Sequence, residues 1–287
     1  MEKKYMFILL WFPLLLFVAA FALPLFYGVL LSLKDTSGNF VGVTNYVSVL
    51  TDQRFWGSLG FTFFFAFVVV GLMTTLGLLF GVFINHLTVG QNLVKSSMLI
   101  PWAISLTAWG LLGQIVFSKD YGIVNHLLMV IGLIDKPVVW LADPGNAKFA
   151  IIASRIYKDV WFGTLLFLVA RQGISGELYE EAKVSGATGR FCLWHITIPL
   201  LRPTILYVGI INMIFSLHEF DQVYALTKGG PGFATETAAM GIYKHGMLFG
   251  NYEIAIAQSI LWSIFIGTLA VIIFVPGQLR SLRNGNK

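Results

Sequence analysis

The sequence has little charge and almost no cysteine. Only 11% of its 287 residues are charged and 57% are hydrophobic, whereas soluble domains carry about 25% charged and roughly 45–50% apolar residues. A soluble fold of this length cannot bury so much apolar surface, so lipid must solvate part of the chain. Cys192 is the single cysteine, which excludes an intramolecular disulfide, and no Cys/His cluster with metal-ligand spacing occurs.

Motifs of enzymes are also missing. The dipeptide Gly-Lys does not occur in the sequence, so the chain has no P-loop with which to hydrolyse ATP. GxSxG, HExxH and GxGxxG are absent as well. We therefore assign no catalytic residue, metal or cofactor to this chain. The basic residues that give a net charge of +5 lie in short segments between apolar runs, a pattern that does not indicate nucleic-acid binding.

Long apolar runs are what the sequence does have. A membrane-spanning helix needs roughly 20 mostly apolar residues. The runs that meet this length predict an all-α, polytopic membrane protein with six transmembrane helices in a single domain over residues 1–287, with spans at 5–33, 58–84, 96–117, 149–170, 204–226 and 254–276. The first run is too long for a cleaved leader and is predicted to be a retained anchor, with kinks or a break at Pro13 and Pro24.

The distribution of basic residues predicts the orientation. The segments 1–4, 85–95, 171–202 and 277–287 together hold ten Lys and Arg residues against four acids. The longer segments on the opposite side hold seven of each. Because basic residues accumulate in cytoplasmic loops, we expect both termini and the 171–202 loop in the cytoplasm.

The 171–202 loop is predicted to form two short helices broken at Gly186 or Gly189. Ser175 is a candidate cap for the first helix, and Glu177 suits a helix N-terminus. Downstream, Phe191, Trp194 and Ile198 form an apolar stripe at helical spacing. Two interpretations follow from the residues alone: an interfacial helix that anchors the loop, or a docking element for a soluble partner.

The same loop resembles a motif of permease subunits in binding-protein-dependent ABC importers, Glu-Ala-Ala-x3-Gly-x9-Ile-x-Leu-Pro. The positions that match are Glu180, Ala182, Gly186, Ile196 and Pro199. The departures are Glu181 for the middle Ala, Ile198 for Leu, and Ser185 for an Asp that often precedes the Gly. Segments that resemble the first permease subunit of the maltose type within this family are 40–46, 54–56, 99–101, 121–125, 226–232 and 235–237.

The resemblance implies an importer permease of the type I fold. It implies that a coupling helix in this loop docks on an ATPase subunit, with the docking residues Glu180, Glu181, Ala182, Gly186 and Ala187. It further implies a heterodimer with a second permease, two ATPase subunits that bind ATP and Mg²⁺, and a solute-binding protein that delivers a carbohydrate. The loop at Gly229, Gly230, Pro231 and Gly232 would then lie near the docking surface for the binding protein; without the resemblance it is a tight chain reversal.

Ionisable residues inside the predicted spans suggest function, because charges are costly in a membrane. Two stripes at helical spacing stand out, one in span four and one in span five: Arg155, Lys158, Asp159 and Phe162, and Asn212, Phe215, Ser216 and Glu219. Either they pair with each other to hold the bundle together, for example Lys158 with Glu219, or they line a pathway for a polar solute.

The resemblance favours the pathway, since maltose-type permeases hold the solute with the spans on either side of the coupling loop. Charges of both signs leave open whether the carbohydrate is neutral or anionic. A rival hypothesis is a stand-alone secondary transporter or channel for a polar solute, because broken helices and embedded charges fit that class too. A coupling loop distinguishes the two, since a symporter needs no ATPase-docking motif.

Overall fold

The computed structural model describes the backbone of residues 2–87 and 89–285, and the side chains of residues 9, 11–87 and 89–272. Over this part of the chain the structure is helical, with no β-strand. It divides into two compact units, residues 1–56 with 238–287 and residues 57–237. The predicted all-α class is confirmed, and the single domain stays a prediction. The side chains of Lys3, Lys4, Arg280, Arg283 and Lys287, used above for orientation, lie outside the described residues.

The first unit is built on the N-terminal helices and on the last helix of the chain. Helix α1 (Glu2–Phe17) passes through a π-helical stretch, Val18–Ala22, into α2 (Leu23–Ser32). The unit continues with α3 (Thr44–Thr51) and the first residues of α4 (Gln53–Asn85). Near the C-terminus it contains α13 (Ala238–Tyr243), a π-helical stretch (Lys244–Leu248) and the last helix, α14 (Tyr252–Gly285). Helices α2 and α3 both pack against α14.

The turn between α2 and α3 is held by side chains of the 40–46 motif. Asn45 Nδ2 donates to the carbonyls of Ser32 (2.8 Å) and Lys34 (2.7 Å), and so satisfies groups that the end of α2 leaves open. Tyr46 Oη lies 2.6 Å from the Ser32 hydroxyl. Asp35 accepts hydrogen bonds from the backbone and side chain of Asn39, which lower the pKa of its carboxyl below the ordinary value of 3.8. The motif therefore fixes the start of α3 to the end of α2, where the first predicted span ends.

The second unit contains the remaining helices, whose bounds are α5 (Gln91–Ala103), α6 (Leu106–Val116), α7 (Ile123–Val130), α8 (Pro144–Gln172), α9 (Glu177–Val184), α10 (Gly189–Cys192), α11 (Ile198–Leu217) and α12 (Asp221–Thr227). A second π-helical stretch, Leu193–Thr197, joins α10 to α11. Helix α8 lies at the centre, because α5, α11 and α12 all pack against it. The long loop before α8 contains α7.

Glycines allow two helix pairs in the second unit to approach closely. A Cβ atom placed on Gly81 of α4 would lie 2.8 Å from the Cβ of Phe167 and 3.0 Å from the backbone nitrogen of Leu168 on α8. On α6, a Cβ on Gly110 would lie 2.6 Å from the Cβ of Ala225 on α12. Small residues at such crossings let membrane helices pack backbone to backbone.

Two prolines are accommodated by local widening of the helix. The π-helical stretches Val18–Ala22 and Leu193–Thr197 are each followed by one residue and then by a proline, Pro24 and Pro199. Since proline has no N–H, the preceding turn shifts to i→i−5 hydrogen bonds. The helix stays continuous through Pro24, so the predicted irregularity takes the form of a wide turn instead of a break.

The helices follow the predicted spans with two differences. Over the described residues, four helices are long and apolar enough to cross a membrane, and α5 with α6 makes a fifth such unit, bent by 94° at a break. Helix α8 carries the charges of the fourth predicted span and is too polar to be counted among these helices, although its 29 residues reach about 43 Å. The third predicted span is thus two helices, and the fifth ends at Leu217 before α12 begins.

Candidate transport pathway and coupling surface

The charged residues of the two predicted stripes meet in one cluster. Arg155 Nη1 on α8 donates to Glu219 Oε2 at 2.7 Å, and Arg155 Nε lies 3.0 Å from Asp159 Oδ2. The side chains of Arg155 and Glu219 are only 7% and 1% exposed. Two carboxylates therefore surround one guanidinium in a setting where an unpaired charge is very costly.

Lys158 completes the cluster from the next turn of α8. Its Nζ lies 3.1 Å from Asp159 Oδ1 and donates to the main-chain carbonyl of Trp102 at 3.2 Å. That carbonyl is near the C-terminus of α5, where helix carbonyls lack intrahelical partners and favour a cation. The pairing that the sequence suggested, Lys158 with Glu219, is wrong: Arg155 is the partner of Glu219, and Lys158 pairs with Asp159.

Arg155, Lys158 and Asp159 border a cavity of about 460 Å³. Its walls come from α8, α11 and the break between α5 and α6, and the residues that line it are Trp102, Ala103, Ile104, Ser105, Leu106, Arg155, Lys158, Asp159, Phe162, Asn212 and Phe215. Six of the eight predicted pathway residues are in this group. Ser216 and Glu219 are not; they are 1% and 2% exposed and lie behind the wall, where Glu219 fixes Arg155.

Aromatic and amide groups give the cavity a mixed surface. The Trp102 and Phe162 rings stack with centroids 5.8 Å apart and an interplanar angle of 10°, and Phe215 is 60% exposed. Asn212 is 7% exposed, and its Nδ2 finds no hydrogen-bond partner among the described residues. A buried amide donor without a partner is costly, so Asn212 is a cavity-lining residue with an unmet hydrogen bond.

The contribution of 102–106 was missed by the sequence reasoning. This segment reads as part of one continuous apolar run, but α5 ends at Ala103 and α6 begins after Ser105. The Ser105 hydroxyl accepts from the Ala108 N–H at 3.3 Å and caps α6. A single serine followed by a helical run is the signal that could have located the break. Non-helical backbone within a membrane span is tolerated where it borders a cavity.

The predicted coupling helix is α9, and it is exposed. Glu177 N–H donates to the Ser175 hydroxyl at 3.3 Å, and α9 ends before Gly186, whose φ of +81° is the left-handed conformation that glycine tolerates at a helix end. An open groove of about 630 Å³ follows, lined by Leu178, Glu181, Ala182, Ser185, Gly186, Ala187, Thr188 and Phe191. Glu180 does not line this groove; it is exposed elsewhere on α9.

Helix α9 is attached to both neighbouring long helices through one tyrosine. The guanidinium of Arg171, in the last turn of α8, lies 3.9 Å from the centre of the Tyr179 ring. The Tyr179 hydroxyl is 2.9 Å from Thr197 Oγ1, and Thr197 also donates to the Cys192 carbonyl. Tyr179 of α9 therefore contacts both α8 and the residue before α11, the two helices that wall the cavity.

The Gly-rich loop after α12 is closed by threonines. Thr235 Oγ1 donates to the Gly230 carbonyl at 2.7 Å and lies 2.8 Å from Thr227 Oγ1. Of the residues predicted for docking, Gly229 is buried and Gly232 is exposed; Gly230 and Pro231 are half-buried. Phe233, which the sequence reasoning did not select, is 53% exposed with φ of +64° and presents an apolar side chain next to Gly232.

The family of the chain is shown by sequence comparison. Residues 73–277 match the family of binding-protein-dependent transport system inner membrane components. This range contains the coupling motif, the charged cluster and the Gly-rich loop. The chain belongs to this family, and the resemblance inferred from the coupling loop is confirmed.

Individual relatives are permeases of sugar and polyol transport systems. The chain is 36% identical over 241 residues to the trehalose/maltose transport system permease protein MalF of Thermococcus litoralis, covering 84% of this chain and 81% of that protein. It is 34% identical over 244 residues to the lactose transport system permease protein LacF of Rhizobium radiobacter, with 83% and 81% covered. The sn-glycerol-3-phosphate permease UgpA of Agrobacterium fabrum is 28% identical over 239 residues, with 83% and 80% covered.

Solved structures establish the fold. A bacterial ABC transporter involved in the import of the acidic polysaccharide alginate contains a chain that matches with a TM-score of 0.78 at 23% identity, over 98% of this chain and 96% of that chain. The alginate transporter in complex with an alginate pentasaccharide-bound periplasmic protein gives a TM-score of 0.81 at the same identity and coverage. The fold is that of a type I ABC importer permease, a multi-pass membrane protein.

Proposed function

We propose that this chain is one of two permease subunits of an ATP-driven importer and that it forms half of an alternating-access pathway for a carbohydrate. The observation that carries the proposal is the cavity between α8, α11 and the α5–α6 break. It collects six predicted pathway residues, and its two long walls are the helices to which α9 is attached through Tyr179. A polar solute site is thereby joined to the predicted ATPase-docking helix.

The electrostatics of the cavity favour an uncharged carbohydrate. Arg155 contacts two carboxylates, and Lys158 contacts one of them. Two cations and two anions balance, so the cluster offers no excess charge to an anion. The unpaired Asn212 amide and the aromatic rings suit a sugar, whose hydroxyls accept and donate hydrogen bonds and whose C–H faces pack on aromatic surfaces. Relatives named for trehalose, maltose and lactose fit the same class, whereas the relative named for sn-glycerol-3-phosphate is named for an anionic solute.

The partners follow from the same proposal. Exposed α9, with its groove ending at Phe191, docks on one of two ATPase subunits, which hold ATP and Mg²⁺. The loop at Gly229–Gly232, with Phe233, faces a solute-binding protein on the outer side. A second, related permease supplies the other half of the pathway. Both termini lie in the cytoplasm and the spans cross the cell inner membrane.

Solute-stimulated ATP hydrolysis tests the proposal. The chain is reconstituted in liposomes with its candidate ATPase, second permease and binding protein, and neutral and acidic oligosaccharides are presented through the binding protein. We expect stimulation by one neutral class and its loss in Glu180→Lys, with membrane insertion unchanged. Asp135→Lys is the matched control, because it makes the same charge reversal in an exposed segment on the predicted outer side.

Two results would overturn the proposal. Normal stimulation in Glu180→Lys removes the coupling role of the loop. Solute movement by this chain alone under an ion gradient, without any ATPase, replaces the importer with the stand-alone secondary transporter considered above. Stimulation by acidic oligosaccharides alone would refute the uncharged substrate while leaving the importer intact.

A further inference from the structure

A basic recess lies at the foot of α4, next to the coupling helix. Its volume is about 250 Å³, and its lining residues include Arg171, Lys183, His86 and Tyr179 but no Asp or Glu. The three nitrogen-bearing side chains come from three different elements: the end of α8, α9, and the residue after α4. Both segments beyond the helix ends, 85–95 and 171–202, are predicted to be cytoplasmic, so the recess lies at the cytoplasmic surface of the membrane.

A long apolar groove adjoins the recess. This groove has a volume of about 830 Å³ and lies between residues 74–86 on α4 and 193–205 on the π-helical stretch and α11. Apart from Thr74, Thr75 and His86, its lining is apolar. The two cavities share Val82, His86 and Leu193. Along α4 the groove extends over about 18 Å, at 1.5 Å per helical residue.

We propose that the recess and the groove together bind one anionic phospholipid of the cytoplasmic leaflet. The phosphate head group occupies the recess between Arg171 and Lys183, and one acyl chain lies in the groove along α4. Charge complementarity identifies the occupant: an apolar groove alone suits any hydrophobic partner, but a cationic end without an acidic residue selects an amphiphile with a negative head. Basic pockets between transmembrane helices on the cytoplasmic side bind such head groups.

The proposed lipid touches the coupling machinery. Arg171 packs on Tyr179, which joins α9 to Thr197, and Lys183 is in the last turn of α9. A bound head group would therefore brace α9 against α8 from the membrane side. The binding itself is independent of the solute and of ATP, so its test does not depend on the transport activity proposed above.

Native mass spectrometry of the assembled transporter in detergent tests the proposal. The probes are phosphatidylglycerol and phosphatidylcholine with identical acyl chains, added in equal amounts. We expect retention of phosphatidylglycerol over phosphatidylcholine. Each basic residue near the surface contributes about 1 kcal/mol to binding of an anionic lipid, and every 1.4 kcal/mol changes the affinity about tenfold. The double variant Arg171→Gln/Lys183→Gln should therefore bind phosphatidylglycerol roughly thirtyfold less tightly.

Matched variants separate the site from general charge. Arg190→Gln/Arg202→Gln removes the same charge from exposed residues of the same predicted loop outside both cavities, and should retain the lipid. His86→Gln/Lys183→Gln spares the Arg171–Tyr179 contact and should still weaken retention, so a folding defect of the first variant does not decide the outcome. Thr75→Trp fills the groove and should weaken retention of both lipids.

Three outcomes would overturn the proposal. Equal retention of the two lipids by the wild type removes the head-group site. Equal loss in the Arg190/Arg202 control makes the effect one of net charge. Full displacement of phosphatidylglycerol by glycerol phosphate assigns the recess to a free phosphate instead of a lipid. A crosslink from position 75 to the second permease assigns the groove to a protein helix.

Discussion

The ion pair between Arg155 and Glu219 should be measurable as a coupling energy. Glu219→Gln leaves the Arg155 guanidinium with Asp159 alone, at 3.0 Å. Arg155→Met leaves Glu219, 2% exposed, without the cation at 2.7 Å. Removing one partner of a buried pair costs about 3–5 kcal/mol. We expect Arg155→Met at the upper end of this range and Glu219→Gln at the lower end, since Asp159 still compensates the guanidinium.

The double variant Arg155→Met/Glu219→Gln removes both charges and should cost less than the sum of the two single changes. We expect a coupling energy of at least about 1 kcal/mol, above the average of about 0.6 kcal/mol for hydrogen bonds between transmembrane helices. The free energy of unfolding is measured by far-UV circular dichroism of the purified permease in mixed micelles as the fraction of sodium dodecyl sulfate rises. Asp159→Asn is the comparison, because it leaves the Arg155–Glu219 contact in place; it should itself be destabilising, since it removes the carboxylate that pairs with buried Lys158.

A coupling energy indistinguishable from zero would refute the reasoning. It would mean that the two charges do not contact each other in the folded protein, and that Arg155 is compensated by another group. If instead the double variant folds well but loses solute stimulation of the ATPase, the pair both stabilises the bundle and shapes the cavity.

Three further predictions concern coupling and packing. Gly186→Trp places a bulky side chain at a φ of +81° in the docking groove and should abolish solute-stimulated ATP hydrolysis while the chain still inserts. Tyr179→Phe removes only the hydroxyl that contacts Thr197 and should lower solute-stimulated ATP hydrolysis more than basal hydrolysis; equal loss of both would contradict the linkage. Gly81→Ala should destabilise the permease by about 1–3 kcal/mol through overpacking, whereas Gly71→Ala on the same helix, with open space at its Cβ, should be neutral in the same unfolding assay.

Sequence periodicity found the members of the cavity on α8 and α11 but not all of their contacts. The spacing of Arg155, Lys158 and Asp159 places them on one face of α8, and the structure has them together. Helical spacing says nothing about how one helix is rotated against another, so the partner of Glu219 could not be predicted. Pairing and solute contact, which the sequence leaves open as alternatives, do not exclude each other. In the structure the charges pair, and three of them also border the cavity.

The breaks in two predicted spans were missed for a different reason. Hydropathy reports whether a segment suits lipid, and the residues around Ser105 and Leu217 are apolar enough to pass. Where the chain turns is decided by tertiary partners, such as the Arg155 guanidinium that holds Glu219 just beyond the end of α11. The coupling helix was easier to predict, because an exposed amphipathic segment bounded by Ser175 and Gly186 depends mainly on local signals.

The acceptor that holds Lys158 is a main-chain oxygen, the carbonyl of Trp102. A main-chain oxygen is the same in every amino acid, so no substitution at position 102 deletes it. At residue 102 the backbone therefore supplies the oxygen that binds Lys158, whereas the side chain supplies an aromatic ring that lines the cavity. A change of side chain alters the cavity wall and leaves the acceptor of Lys158 in place.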